Sequence, residues 1–231
     1  MDFFRFPRTP HLMWLGKEKP RDDKVLAPRD AQDFLAHEVC VEEKIDGANV
    51  GFSVDEHGKI RAQSRGKYIL REEAQPQFKL LFRWLAQREP QLAAVLSPNL
   101  MLFGEWCYAV HSVRYSRLPD WFLVFDVYDR EGDYFWSTDR RDALVTDLAL
   151  AAVPRLGKGL YDLASLQSLF GPSQVGDALA EGIYVRQEAG DRLAARAKLV
   201  RPEFAQAIDQ HWTKKALQPN ALAPAPRCPA P

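Results

Sequence analysis

The chain has 231 residues, 46% of them hydrophobic and 27% charged. That is the composition of a soluble globular protein with a substantial core, arranged as one large domain or two small ones. Its 31 basic and 31 acidic side chains give a formal charge of +0, so a nucleic-acid partner has to be held by a local basic patch, because the whole molecule exerts no long-range pull.

The three cysteines, Cys40, Cys107 and Cys228, show no metal-ligand spacing. Cys40 and Cys107 sit in apolar, strand-like contexts and read as buried thiols, which suits a reducing cytoplasm. Met1 to Pro10 lacks the continuous apolar core of a secretory signal. No apolar run approaches the roughly 18 residues of a membrane helix. These features predict a soluble, cytoplasmic protein.

In chain order, residues 1–28 are rich in proline, arginine and aromatics and read as an irregular arm with one short strand near His11–Gly16. Asp30 to Glu38 predicts a short helix with Phe34 and Leu35 inward. A strand opens at Val39, Cys40 and Val41, runs into Glu42-Glu43-Lys44-Ile45-Asp46-Gly47-Ala48-Asn49, and apolar alternation resumes at Val50, Phe52 and Val54. His57-Gly58 fits a hairpin loop with its return strand at Ile60–Ser64. Phe78, Leu81, Phe82, Leu85, Leu92 and Val95 mark an amphipathic helix over 76–96, broken near Pro90. Leu100–Trp106 and Trp121–Tyr128 predict strands, and Asp139–Ala152 a helix capped by Thr138. Short helices are predicted over Asp162–Phe170 and Ser173–Ala180, then strands at Gly182–Gln187 and Arg192–Val200. Pro202 opens a final helix to about Leu217. From Gln218 the chain is mostly alanine and proline and reads as a solvated, disordered tail. Strands mixed with helices and hairpins predict an α+β domain over 1–217, with antiparallel sheets flanked by helices. No glycine-rich phosphate loop joins a strand to a helix, which argues against a doubly wound parallel sheet.

Chemistry concentrates where charge interrupts these apolar strands. Carboxylates do so at Asp46, at Glu105 in Leu102-Phe103-Gly104-Glu105-Trp106, at Asp126 in Phe122-Leu123-Val124-Phe125-Asp126-Val127-Tyr128, and at Glu181. Buried carboxylates need partners. Lys44, Arg65 in Ser64-Arg65-Gly66-Lys67, Arg196 and Lys198 can supply them, together with a metal. A lysine becomes a nucleophile when nearby cations or desolvation lower its pKa, and Lys198, Arg196 and Mg²⁺ are the cations expected to do this for Lys44. Gly47 lets the backbone turn and come close to a ligand.

In order and spacing these stretches resemble the nucleotidyltransferase motifs of the covalent lysyl-AMP superfamily: ATP-dependent DNA ligases, RNA ligases and mRNA capping enzymes. The Glu-Lys-Ile-Asp-Gly-Ala-Asn form at 43–49 and Phe-Asp-Val at 125–127 look most like the RNA ligase 2 branch. The motifs run from Lys44 to Arg201, about two-thirds of the chain.

The resemblance implies a role for each matching position. Lys44 takes AMP through a phosphoramidate bond, with Asp46 and Lys198 as its catalytic companions. Glu43 touches the adenine edge, largely through its backbone. Gly47 and Asn49 complete the first motif. Arg65 contacts phosphates near the nucleotide, and Glu105 binds the ribose hydroxyls. Phe125 stacks on adenine, with Asp126 as its essential neighbour. Glu181 stands beside the catalytic metal. Lys198, with Arg196, binds the α-phosphate. The family usually shows two lysines in that last pair, one of them replaced here by Arg196, and Val200 marks an alternative register.

The function so implied is an ATP-dependent RNA ligase that joins 5′-phosphate and 3′-hydroxyl ends, with Mg²⁺ or Mn²⁺. Its partners would be RNA as a nicked duplex or broken ends, DNA as a possible strand, and an end-healing kinase or phosphatase. The alternatives are a GTP-dependent capping-type guanylyltransferase and a non-catalytic nucleotide- or RNA-end-binding module. About thirty residues follow Lys198, too few for the OB domain of DNA ligases and capping enzymes or for the helical C-terminal domain of RNA ligase 2 proteins. The arm, a separate partner protein, or the final helix with His211, Trp212, Lys214 and Lys215 is therefore expected to engage the strand.

Overall fold

Apolar alternation in the chain builds two sheets, and the lysine motif falls where one hands over to the other. The computed structural model describes residues 3–17, 24–96, 98–207 and 217–224. The first sheet is antiparallel throughout, in the order β10 (Arg192–Val200), β9 (Gly182–Ala189), β1 (Val39–Lys44) and β8 (Arg155–Gly159). The second runs β3 (Ile60–Gln63), β2 (Ala48–Val54), β4 (Leu100–Trp106), β5 (Phe122–Asp129) and β6 (Tyr134–Phe135), also antiparallel. A short β7 (Ala151–Ala152) pairs in parallel with β5.

Residues 45–47 carry the chain from β1 into β2, so Lys44 ends a strand of one sheet and Asn49 is the second residue of a strand of the other. The crossing is tight. A Cβ on Gly47 would stand 2.7 Å from the Trp106 carbonyl oxygen, closer than any side chain permits.

Helices cover the outer faces. α2 (Lys79–Ala86) and α3 (Glu89–Leu96) bury Leu81, Trp84, Leu85, Leu92 and Leu96 against Phe52, Trp106 and Phe122 of the second sheet. α4 (Thr138–Asp147) adds Val145 to the same core. α1 (Pro28–Leu35) and α5 (Leu163–Ser168) place Phe34 and Leu166 on Val39, Val41, Ile183 and Val185 of the first sheet. Each such large apolar side chain, fully buried, contributes about 1.5–3 kcal/mol.

Several expectations are corrected. The helix predicted over 139–152 ends at Asp147, because Ala149 turns the chain through a positive φ of 50° and Ala151–Ala152 joins β5 as β7. Its cap is Ser137, whose hydroxyl accepts from the Arg140 amide, and not Thr138. No helix forms over 173–180. Pro172 bridges Leu179, and the Ser173 amide donates to the Ala178 carbonyl to close a loop. β8 was not anticipated, since its edge sequence alternates Arg155 and Lys158 with two glycines. The arm's expected strand is reduced to single bridges from His11 to Lys198 and Val25.

The expected solvated tail is also corrected. Residues 217–224 lie along the loop after β4. The Val110 amide donates to the Gln218 carbonyl, the Asn220 amide to Tyr108, and the Leu118 amide to Ala221. Alanine and proline have little bulk to bury, but their backbone pairs all the same. The last described helix, α6 (Pro202–Ala207), begins at Pro202 as expected. Residues 208–216, with His211, Trp212, Lys214 and Lys215, and residues 225–231, with Cys228, lie outside the described residues. Cys40 and Cys107 are buried free thiols. Among the described residues no helix is long and apolar enough to cross a membrane.

Candidate active site

A cavity of about 510 Å³ opens where the two sheets meet. Seven of the side chains singled out from sequence line it, Glu43, Lys44, Asn49, Arg65, Glu105, Phe125 and Lys198, together with Gly47. The seven come from β1, β2, β4, β5, β10 and the turn after β3, so no single element makes the site. Glu181 reaches it through Lys44. Asp46, Asp126 and Arg196 stand behind the lining.

Lys44 Nζ is 2.5 Å from Glu181 Oε2, with side chains 20% and 16% exposed. Burial disfavours the ammonium, but the carboxylates of Glu181, Glu105 and Asp46 outweigh it and raise the Lys44 pKa. Arg196 and Lys198 alone do not bring about the lowering expected of them together with Mg²⁺. Lys44 is thus a paired ammonium.

Burial pushes Glu105 up to about 8, against the pull of Lys44 and with the further repulsion of Asp46 and Glu181. Glu181 is raised as well, again mainly by burial and in spite of Lys44. Asp46 turns away from the amine toward the loop after β4. Its Oδ2 accepts from the Ser112 amide at 2.6 Å and the Val113 amide at 2.8 Å, and its own amide donates to the Tyr115 hydroxyl at 2.7 Å. Asp46 thereby fixes the backbone of the turn that follows Lys44.

Glu43 lines the cavity. Its carboxylate is buried and accepts from Ser173 Oγ at 2.5 Å and the Gln174 amide at 2.8 Å. Those bonds explain why 173–180 is a loop. Asn49 lines the cavity, and its Oδ1 is buried with no hydrogen-bond partner among the described residues.

Behind Phe125 lies a buried charge network. Its carbonyl accepts from Arg141 Nη1 at 2.8 Å and Arg186 Nη1 at 3.3 Å. Arg141 Nη2 also meets Glu42 Oε1 at 2.6 Å, and Arg186 Nη2 meets Asp126 Oδ1 at 2.5 Å. Arg196 pairs with the other oxygen of Asp126 and packs over the Phe6 and Phe135 rings, 4.6 and 4.3 Å from their centroids. The pairing of Arg196 with Lys198 around one phosphate is therefore not what the fold builds. Lys198 lines the cavity, and Arg196 clamps the strand that carries Phe125.

Sequence reasoning missed Glu42, Arg141 and Arg186 of this network, and Phe6, Arg8, Thr9, His111 and Tyr184 of the lining. Arg186 had a signal, a charge interrupting the apolar strand Ile183–Val185 just as Asp126 interrupts β5. Arg141 had none, because α4 reads as an ordinary polar helix.

Residues 37–200 match the model of the family described as RNA ligase. The chain belongs to the RNA ligase family. Similar solved structures include a lysine-to-alanine variant of Naegleria gruberi RNA ligase with ATP and manganese, with a TM-score of 0.60 and 20% identity over 76% of this chain and 53% of that one. An arginine-to-alanine variant with the same ligands gives 0.59 and 19% over 87% of this chain and 56% of that one. An apo lysine-to-alanine variant gives 0.58 and 21% over 76% and 52%. At that identity the likeness is one of fold, and this RNA ligase family chain spans about half the length of the structures it matches. No curated protein matches it.

Proposed function

We propose that this chain is an ATP-dependent RNA ligase that works through a lysyl-AMP intermediate. The observation that carries the reading is convergence: the Lys44 amine opens on a cavity shared with Arg65, Glu105, Phe125 and Lys198, with Glu181 on the amine itself. ATP and manganese accompany the similar Naegleria ligase structures, and the cavity here has the residue types for the same ligands. Phe125 offers a flat face for adenine. Glu105 offers oxygens to the ribose hydroxyls, and Asn49 lines the same space. Lys198 and Arg65 are fixed positive groups for phosphate.

A divalent metal fits the donor set. Among the described residues no group of three or more histidines, cysteines and acids is arranged to hold one. Magnesium and manganese suit one or two carboxylates completed by phosphate and water oxygens, and Glu181, a hard oxygen donor at the amine, is the residue we assign. Bound there, the ion would offset charge on the phosphate oxygens.

Lys44 must lose the proton that Glu181 now stabilises. Its free amine then attacks the α-phosphorus of ATP, an N–P bond forms, the bond to the bridging oxygen breaks and pyrophosphate leaves. AMP passes to a 5′-phosphate, restoring the lysine. The 3′-hydroxyl of the neighbouring strand then attacks that phosphate and expels AMP, which seals the two ends.

Incubation with ATP labelled at the α-phosphate tests this. The wild type should gain the mass of one AMP and Lys44→Ala none. Labelling of Lys44→Ala would remove the proposal. GTP in place of ATP separates a capping-type guanylyltransferase, and sealing of RNA, DNA and mixed nicks separates a ligase from an end-binding module.

A further inference from the structure

The N-terminal arm precedes the family match over 37–200, yet it forms part of the cavity wall. Phe6 is 2% exposed. Its ring stands edge-on to Phe125, centroids 5.4 Å apart, and takes the Arg196 guanidinium on its face. The Phe4 carbonyl accepts from Gln63 Nε2 at 2.7 Å. The Thr9 and Tyr184 hydroxyls pair. The Lys198 amide donates to the Pro10 carbonyl at 2.9 Å, and the Leu12 amide donates to the Lys198 carbonyl at 2.8 Å. The backbone is therefore anchored on both sides of Arg8, and one anchor is the lysine assigned to the α-phosphate. Arg8 is itself exposed and lines the same cavity as Lys44, Arg65 and Lys198.

We propose that Arg8 binds the part of the ATP phosphate tail that leaves as pyrophosphate. The inference rests on the reading of the cavity as an ATP site. The arm is divided along its length. Phe6 backs the aromatic wall, where a base would lie, while Arg8 and Thr9 continue beside the Lys198 strand, where the phosphates would lie. A guanidinium presents five donors in a planar fork that matches phosphate oxygens two at a time. As the α-phosphorus bond breaks, negative charge grows on the departing oxygens. A cation held on an anchored backbone meets that charge with little reorganisation.

Arg8→Ala tests this without disturbing Phe6, Thr9 or Pro10. Three measurements are compared: the KM for ATP in lysine labelling, the KM for pyrophosphate when the adenylated protein is run in reverse, and the rate of sealing a pre-adenylated strand, which carries no pyrophosphate. The first two should rise about tenfold, the scale of one lost charge-assisted contact, and the third should stay as in the wild type. Arg8→Lys should recover part of the loss. If none of the three changes, Arg8 has no such role. If sealing of the pre-adenylated strand falls as far as labelling does, Arg8 holds the strand instead, and the assignment is overturned. Failure of the wild type to be labelled at all would remove the ATP reading itself, a result distinct from either.

Discussion

Glu105 shows what one buried carboxylate does to the whole chain's response to pH. A glutamate in an unfolded chain titrates near about 4.3. In the fold, burial and the neighbouring Asp46 and Glu181 push Glu105 up to about 8, past the opposing pull of Lys44 and Arg65. Between those two values the folded protein holds a proton that the unfolded chain has released. Stability from this residue therefore falls as pH rises through the window, and is retained below it. Glu105→Gln cannot titrate. The melting temperature of the variant, minus that of the wild type, should thus climb steadily from pH 5 to pH 8.5. Parallel curves in the two proteins would mean that Glu105 is already ionised in the fold. Lys44 is shifted in the same direction for a different reason, since its carboxylate neighbours hold it charged. Both shifts arise from one cluster, in which Glu105, Asp46 and Glu181 surround the Lys44 amine.

At the scale of elements, the segment 217–224 is the test of what pairing adds to composition. Asn220 is buried, and its side chain accepts from the Tyr115 amide at 2.8 Å and donates to the Cys107 carbonyl at 2.8 Å and the Ala109 carbonyl at 3.3 Å. That loop in turn gives Asp46 its two amides and its tyrosine. Asn220→Ala strands three buried backbone groups and should cost about 1–3 kcal/mol in urea denaturation. A cost near zero would mean that water replaces the amide there. Composition could not show this element, because alanine and proline bury little and the pairing partner lies some hundred residues earlier. The same reason explains the missed loop at 173–180. Its helical pattern is local, but Ser173 and Gln174 are claimed by Glu43 from a distant strand. Where a segment's own alternation decides its fate, the sequence reading was close: β4 and β10 begin and end where their apolar periods do. The site was legible in the same uneven way. Lys44, Glu105, Phe125 and Lys198 stand out by charge or aromaticity within ordered motifs. Arg141 does not, because its partner Glu42 is 99 positions away and nothing in α4 marks it.

Across the whole molecule, two sheets must hold one orientation, or Lys44 and Phe125 do not face a common ligand. The buried charges supply that constraint. Glu42, Arg186 and Arg196 belong to the first sheet, Asp126 to the second, and Arg141 to the helix after it. Such a network adds little net stability compared with well-packed apolar residues, but removing one member leaves the others charged and unpaired, at a cost of about 3–5 kcal/mol. Asp126→Ala would strip a carboxylate from Arg186, 1% exposed, and from Arg196, 9% exposed, and should fall in that range by urea denaturation. Asp139→Ala breaks exposed pairs with Arg155 and Lys158 and should cost under about 1 kcal/mol. Stability alone does not separate an orienting tie from ordinary packing, so a second substitution is needed. Adding Arg196→Met to Asp126→Ala removes one stranded charge and places an apolar chain between Phe6 and Phe135. The double variant should regain part of the lost stability. Its KM for ATP in lysine labelling should nonetheless stay raised, because the link from the first sheet to the strand of Phe125 is still missing. Recovery of both together would show that Asp126 serves only to neutralise its arginines and that the sheets find their orientation without it.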